Sequence, residues 1–297
     1  MKIQNLAYVG IETSNLKAWE TFGTKVLGLM ISDSSDKESL KFRMDDRPYR
    51  IALHKGKKDT LKYVGFELHD REALEDAKTE LKKNKVKFTL GRKDQAKFRE
   101  VEEFITLYDP MGIQIELFYG RSLDYQRFIS PAGVSSFVTG EMGLGHIVLP
   151  ATNLKANHDF YTNVLGFEDT DFMKFDMGEG EQAFTAGLHF LHCDNPRHHT
   201  VGLFESPHPN GLIHLMIEVP NIDEVGYALD RVNTHEVPLQ STLGRHTNDR
   251  MMSFYMISPG GFAIEYGCEG WQVEWKDFTT TISHAPSIWG HKFQVPE

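Results

Sequence analysis

The chain has 297 residues, 40% of them hydrophobic and 25% charged, with a formal net charge of −10. This is the composition of a globular protein with enough chain for one large domain or two ordinary ones. The acidic balance argues against a nucleic-acid partner: the longest basic stretches, "HKGKK" and "LKKNKVK", read as solvated surface. Two cysteines, Cys193 and Cys268, are too few for a disulfide framework and are not spaced as a zinc motif. No apolar run has the length of a signal peptide or a membrane span, so a cytoplasmic protein without membrane contact is expected. The compositional oddity is 14 histidines.

In chain order, "MKIQNLAYVGIE" reads as an opening strand. From Tyr8, "YVGIETSNLKAWETFGTKVLGL" aligns without a gap against "HIVLPATNLKANHDFYTNVLGF", which starts at His146. Both predict a strand, an Asn-Leu-Lys helix start, an apolar-striped helix and a Leu-Gly exit. In the second copy Asn153 is the N-cap, Phe160, Tyr161, Val164 and Leu165 form the stripe, and Gly166 suits the closing turn. Next, "YVGFELHDREALEDA" from Tyr63 matches "HLMIEVPNIDEVGYA" from His214. The helix after His214 carries Val225, Ala228, Leu229 and Val232 at i, i+3, i+4 and i+7. Finally "YDPMGIQIELFYG" matches "ISPGGFAIEYGCEG", setting Glu116 opposite Glu265.

The chain is thus expected to be two similar halves, residues 1–135 and 140–297, each of two β-α-β-β-β modules. The fold class is α+β, with paired modules closing a cupped, barrel-like sheet whose hollow is a ligand site.

The positions that break the repeat are the informative ones. The C-terminal half opens its two leading strands with His146 and His214 and carries Glu265 on its last strand; the N-terminal half has Tyr8, Tyr63 and Glu116 there. Two neutral imidazoles and one carboxylate on adjacent strands can occupy one face of an octahedral metal, leaving three positions open. The set suits Fe(II), and sometimes Mn(II), where substrate and O2 bind together; it can also hold catalytic zinc. Tyrosines do not replace the imidazoles, so the N-terminal half is expected to be metal-free. A histidine at a strand start is commonly structural, and Glu265 could be a paired core carboxylate. However, an unpaired buried carboxylate is costly, and "FAIEYG" offers it no cation.

Between the expected ligands lie further polar groups: His198 and His199 in "NPRHHTVGLF", and His246, Asn248, Asp249 and Tyr255 in "STLGRHTNDRMMSFYMISPGG". Taken singly each reads as a surface or supporting residue. Together they offer a histidine that accepts and returns a proton and a tyrosine that donates to a developing oxyanion.

On these residues the chain resembles the type I extradiol ring-cleavage dioxygenases of the vicinal oxygen chelate superfamily, in particular the two-domain group that includes 2,3-dihydroxybiphenyl 1,2-dioxygenase. The resemblance runs from "AYVGIETSNLKAWETFGTKVLGL" through "NPRHHT" and "STLGRHTNDRMMSFY" to "APSIWGHKF". It implies iron ligation by His146, His214 and Glu265, acid–base chemistry by His199, and active-site roles for His246, Asn248 and Tyr255. It also implies a supporting role for Asp249, pocket-wall positions for Val148 and Phe190, and a bordering position for Pro286. Residues 173–190 depart from the family in length and composition, which leaves substrate choice open.

The implied activity is Fe(II)-dependent meta cleavage of a bicyclic or larger catechol, with both atoms of O2 entering a yellow product and a homo-oligomer as the working form. A catechol-containing secosteroid or a dihydroxylated polycyclic aromatic are alternative substrates. Other classes on the same scaffold are a glyoxalase-like isomerase or lyase that needs no O2, and a drug-sequestering binding protein, which usually lacks the metal triad.

Overall fold

The computed structural model describes residues 1–177 and 184–294. The middle of the divergent segment 173–190 lies outside them.

Strands β1 (Ile3–Thr13), β2 (Met30–Ile31), β3 (Ser39–Arg43), β4 (Ile51–Lys55), β5 (Thr60–Leu68), β6 (Thr89–Leu90), β7 (Val101–Tyr108) and β8 (Gln114–Arg121) form one sheet. Its order is β2-β3-β4-β1-β5-β8-β7-β6. A second sheet contains β9 (His146–Pro150), β10 (Glu168–Met177), β11 (Phe184–His192), β12 (Val201–Phe204), β13 (His214–Glu218), β14 (Leu239–His246), β15 (Met252–Ile257) and β16 (Ala263–Cys268). Its order, β10-β11-β12-β9-β13-β16-β15-β14, repeats the first strand for strand. The second sheet then adds β17 (Thr281–Ser283) beside β10 and β18 (Ser287–Trp289) beside β14. Glu265 is therefore not on the last strand, as the sequence suggested: the C-terminal tail supplies two more, one at each edge.

The register fixes the equivalence read from the sequence. Met216 of β13 pairs with His146 of β9 and Glu265 of β16, just as Gly65 of β5 pairs with Tyr8 of β1 and Glu116 of β8. Strand alternation then sorts the side chains. Ile147, Leu149, Leu215, Ile217, Ile264 and Tyr266 face the helices and join the main hydrophobic core. His146, Val148, His214 and Glu265 face the opposite way, into the cup.

The helices start as their sequences predict. Asn15 and Asn153 accept from the backbone N–H of Ala18 and Ala156 at 3.0 and 3.1 Å, capping α1 (Leu16–Thr21) and α4 (Leu154–Asp159). Neither continues as an α-helix. Each widens into a π-turn, Phe22–Leu27 and Phe160–Val164, so the expected Phe160–Leu165 stripe lies mostly on wider turns. The Leu165 N–H donates to the Phe160 carbonyl five residues back, and this wider pitch seats Tyr161 and Leu165 together in the core. Helix α2 (Arg71–Lys83) and its counterpart in the second half, Ile222–Thr234, are capped by Asp70 and Asn221. The latter buries Val225, Ala228 and Val232, with Leu229 partly covered.

The first cup is full. Tyr8, Tyr49, Tyr63, Phe104 and Phe118 pack inside it, and helix α3 (Lys93–Arg99), inserted between β6 and β7, brings Arg99 against them. The Arg99 guanidinium stacks 4.5 Å from the Tyr63 ring centre and donates twice to Glu116, both at 2.5 Å. Tyr8 and Gln114 each add a bond to the same carboxylate at 2.9 Å. In the second half the corresponding connection, between β14 and β15, is a loop carrying Asn248 and Asp249, and among the described residues no helix plugs that cup.

Candidate metal centre

Strands β9, β13 and β16 bring three donor atoms together from residues far apart in sequence. His146 Nε2 lies 3.1 Å from His214 Nε2 and 3.1 Å from Glu265 Oε2, and His214 Nε2 lies 3.3 Å from that same oxygen. Bonds of about 2.2 Å meeting at right angles separate neighbouring ligands by about 3.1 Å, so this near-equilateral triangle has the dimensions of one octahedral face. The donor set and its spacing fit iron(II).

The electrostatics agree. Burial lowers the pKa of His146 to about 4, outweighing the pull of Glu265, so the imidazole is neutral at physiological pH. Glu265 is fully enclosed, and burial opposes its charge. Hydrogen bonds from His146, His214 and His246 nevertheless hold it well below the ordinary carboxylate range. A neutral His146, the His214 imidazole and one buried anion therefore converge, a set that calls for a cation.

The other residues singled out from the sequence surround this triangle. His199 is buried, its ring 4.0 Å from that of His146 and 4.7 Å from that of Phe190. Burial, reinforced by His146 and His198, pushes its pKa well below the usual histidine value. His198 is buried behind it, the two Nδ1 atoms 3.1 Å apart, so of the surface and supporting positions its sequence left open it takes the buried one. Asp249 Oδ2 lies 4.0 Å from His199 Nδ1.

On the other side His246 Nδ1 donates to the Pro286 carbonyl at 2.9 Å, which directs Nε2 toward the cup, 2.8 Å from the Tyr255 hydroxyl. Burial disfavours charge on His246, but the Glu265 carboxylate 3.2 Å away prevails and raises its pKa to about 9. Tyr255 itself packs edge-on against His214 at 5.2 Å. Asn248 is buried in the turn before β15, with no hydrogen bond from its side chain among the described residues.

Val148 and Phe190 belong, with Met173 and Leu188, to a separate apolar cluster bordered by Phe175, Phe204 and Ile213. Val148 sits directly opposite His214 across the β9–β13 pair, so the apolar wall starts beside the candidate metal-binding triangle.

Two participants escaped the sequence reading. Ser253 donates to Glu265 Oε1 at 2.6 Å, and His291 reaches back from the tail to Ser253. A serine inside a strand and a histidine in a tail carry no local signal; only their register across the sheet reveals them. A second group of metal-type ligands, His158, Asp169 and His189, lies on α4, β10 and β11, where His158 is already bonded to Asp169 at 2.7 Å.

Comparison with known proteins puts this geometry in a family. Residues 6–56 match the family model described as dihydroxybiphenyl dioxygenase BphC D1, and residues 143–266 match the glyoxalase/bleomycin resistance protein/dioxygenase superfamily. An iron-dependent extradiol dioxygenase of Rhodococcus jostii (strain RHA1) is 44% identical, over 99% of this chain and 99% of its own. The chain belongs to the extradiol dioxygenases. A biphenyl-2,3-diol 1,2-dioxygenase of Metapseudomonas furukawaii resembles this dioxygenase at 40% identity, covering 98% of this chain and 94% of the relative. Among solved structures, a halotolerant catechol dioxygenase superposes with a TM-score of 0.90 at 33% identity, over 98% of this chain and 95% of that one. The Mn(II)-bound glyoxalase of Novosphingobium aromaticivorans, at 19% identity and a TM-score of 0.78, shares the fold.

Proposed function

We propose that His146, His214 and Glu265 hold iron(II), and that the enzyme cleaves a bicyclic or larger catechol of the 2,3-dihydroxybiphenyl type beside its two hydroxyls. The observation that carries this reading is the octahedral-face triangle with an apolar wall beginning at Val148. Three open metal positions suit a bidentate catechol and O2, and the wall suits a second ring. Relatives named biphenyl-2,3-diol 1,2-dioxygenase add support for this substrate type. Mn(II) is the other ion this donor set accommodates.

When bound, iron(II) supplies a Lewis acid that acidifies the catechol and a source of electrons for O2. The chain's own groups manage position and protons. His199, neutral because it is buried, accepts a catechol proton and returns it to the departing oxygen as the ring opens. Asp249, behind it, orients the ring and steadies the imidazolium. Tyr255 and His246 share a proton 2.8 Å apart on the opposite side of the cup and hydrogen-bond the substrate oxygen there. Asn248 offers a further amide to the substrate. Val148 and Phe190 hold the distal ring in an apolar setting, and Pro286 borders the entrance while its carbonyl fixes the orientation of the His246 ring.

The deciding assay is turnover of 2,3-dihydroxybiphenyl and smaller catechols by iron-reconstituted protein, with and without O2. Yellow product is expected only with O2, with both labelled oxygen atoms retained when 18O2 is supplied. Turnover without O2 would replace this reading with the glyoxalase-like one.

A further inference from the structure

The two oxygens of Glu265 have different surroundings. Oε2 faces His146 and His214, whereas Oε1 accepts the Ser253 hydroxyl at 2.6 Å and lies 3.2 Å from His246 Nε2. Ser253 Oγ is in turn 3.2 Å from Nε2 of His291, and that nitrogen is also 3.0 Å from the Ser253 carbonyl. A carbonyl can only accept, so His291 carries its proton on Nε2. Ser253, receiving that bond, commits its own proton to Glu265. His291 Nδ1 is left as an acceptor, and the Ser287 hydroxyl donates to it at 2.6 Å. Every proton in the line Ser287–His291–Ser253–Glu265 thus points from the tail toward the carboxylate.

The seat for this line is narrow. Gly290 has φ of +75°, and a Cβ there would stand 2.2 Å from the Leu243 carbonyl oxygen; a Cβ on Gly244 would stand 2.4 Å from the His291 backbone nitrogen. His291 is 6% exposed although Trp289, Gly290 and Lys292 around it are exposed, and its ring stacks 4.1 Å from that of His246. The tail that carries it runs from one edge of the ten-stranded sheet, at β17, to the other, at β18.

We infer that Ser253 and His291 are positioning residues for the metal: they pin one oxygen of Glu265 so that only the other faces His146 and His214, and through them the seating of the C-terminal tail and the retention of iron become one event. This rests on the iron reading above. Outer-shell partners of this kind fix ligand orientation and tune affinity without touching the metal.

The test is the rate at which the anaerobic, iron-loaded full chain gives up Fe(II) to an excess of a ferrous chelator. Ser253→Ala and His291→Ala are each expected to lose iron about 10–100-fold faster than the wild type. The double variant is expected to lose it no faster than the faster single one, because both break the same line. Ser287→Ala, which opens no cavity near the carboxylate, is expected to accelerate loss severalfold, and Ile288→Ala on the same tail to leave it unchanged. In the wild type, removing iron is expected to speed amide exchange across residues 284–294. Normal iron uptake with unchanged loss from Ser253→Ala and Ser287→Ala, or single effects that multiply in the double variant, would overturn the relay alone. Failure of the wild type to take up one equivalent of iron would overturn the metal reading and the relay with it.

Discussion

Replacing Arg99 with Met tests the claim that each cup is organised around a charge that must be met. Glu116 is fully buried and Arg99 10% exposed, so solvent screens their attraction little. The substitution removes two charge-assisted hydrogen bonds, at about 1.5–3 kcal/mol each, and leaves Tyr8 and Gln114 as the remaining donors to a buried anion. The expected loss is about 3–5 kcal/mol, the range found when one partner of a buried pair is deleted. Adding Glu116→Gln removes the stranded charge, and the double variant is expected to recover most of that loss. Urea unfolding of the single variants and the double variant, followed by tyrosine fluorescence and circular dichroism, measures the cycle. A single-variant loss below about 1 kcal/mol, or no recovery on adding Glu116→Gln, would refute the argument that Arg99 serves as the built-in cation of this half.

In the second half, His214→Ala is expected to weaken iron binding by more than the roughly 10–100-fold that an outer-shell partner costs, read by metal analysis after dialysis against a weak chelator. His199→Gln is expected to retain iron while kcat falls about 10²–10⁴-fold, the contribution of a positioned acid–base group, read by steady-state kinetics alongside iron content. Asp109 offers a pH test: burial raises its carboxyl from 3.8 to about 6 despite bonds from the backbone N–H groups of Ile113 and Met111. The folded state therefore binds more protons than the unfolded one across that window. The stability this contributes is complete below about pH 4 and is lost as pH rises through 6, a span of up to about 3 kcal/mol. Asp109→Asn keeps acceptors for those N–H groups, so it is expected to flatten the urea midpoint between pH 4 and 7 and to stabilise the protein at neutral pH.

The legible parts of the sequence were those where the repeat supplied a control. His146 against Tyr8, His214 against Tyr63 and Glu265 against Glu116 could be picked out because strand register holds each pair at the same place in two similar sheets. The Asn15 and Asn153 caps were legible because capping is a local preference carried by one side chain. The π-turns were not: an apolar stripe at helical spacing also fits a locally wider turn, and the choice between them is made by packing around Tyr161 and Leu165. Arg99 was missed because it enters on a helix, Lys93–Arg99, whose place between β14 and β15 in the second half is taken by a loop. Ser253 and His291 were missed because they are 38 residues apart and meet only across folded strands.

The strand order has a consequence for the life of the chain outside its active site. The eight-stranded sheet ends in two-residue strands, β2 and β6, and the ten-stranded sheet ends in three-residue strands, β17 and β18. A newcomer strand that docks on any of these terminal strands finds only two or three residues to pair with. Behind the tail stand β10 and β14, ten and eight residues long, either of which would make a good template if bared. Residues 281–289 thus cap both edges of the ten-stranded sheet, and a chain nicked ahead of residue 280 is expected to be exposed to aggregation before it loses its core.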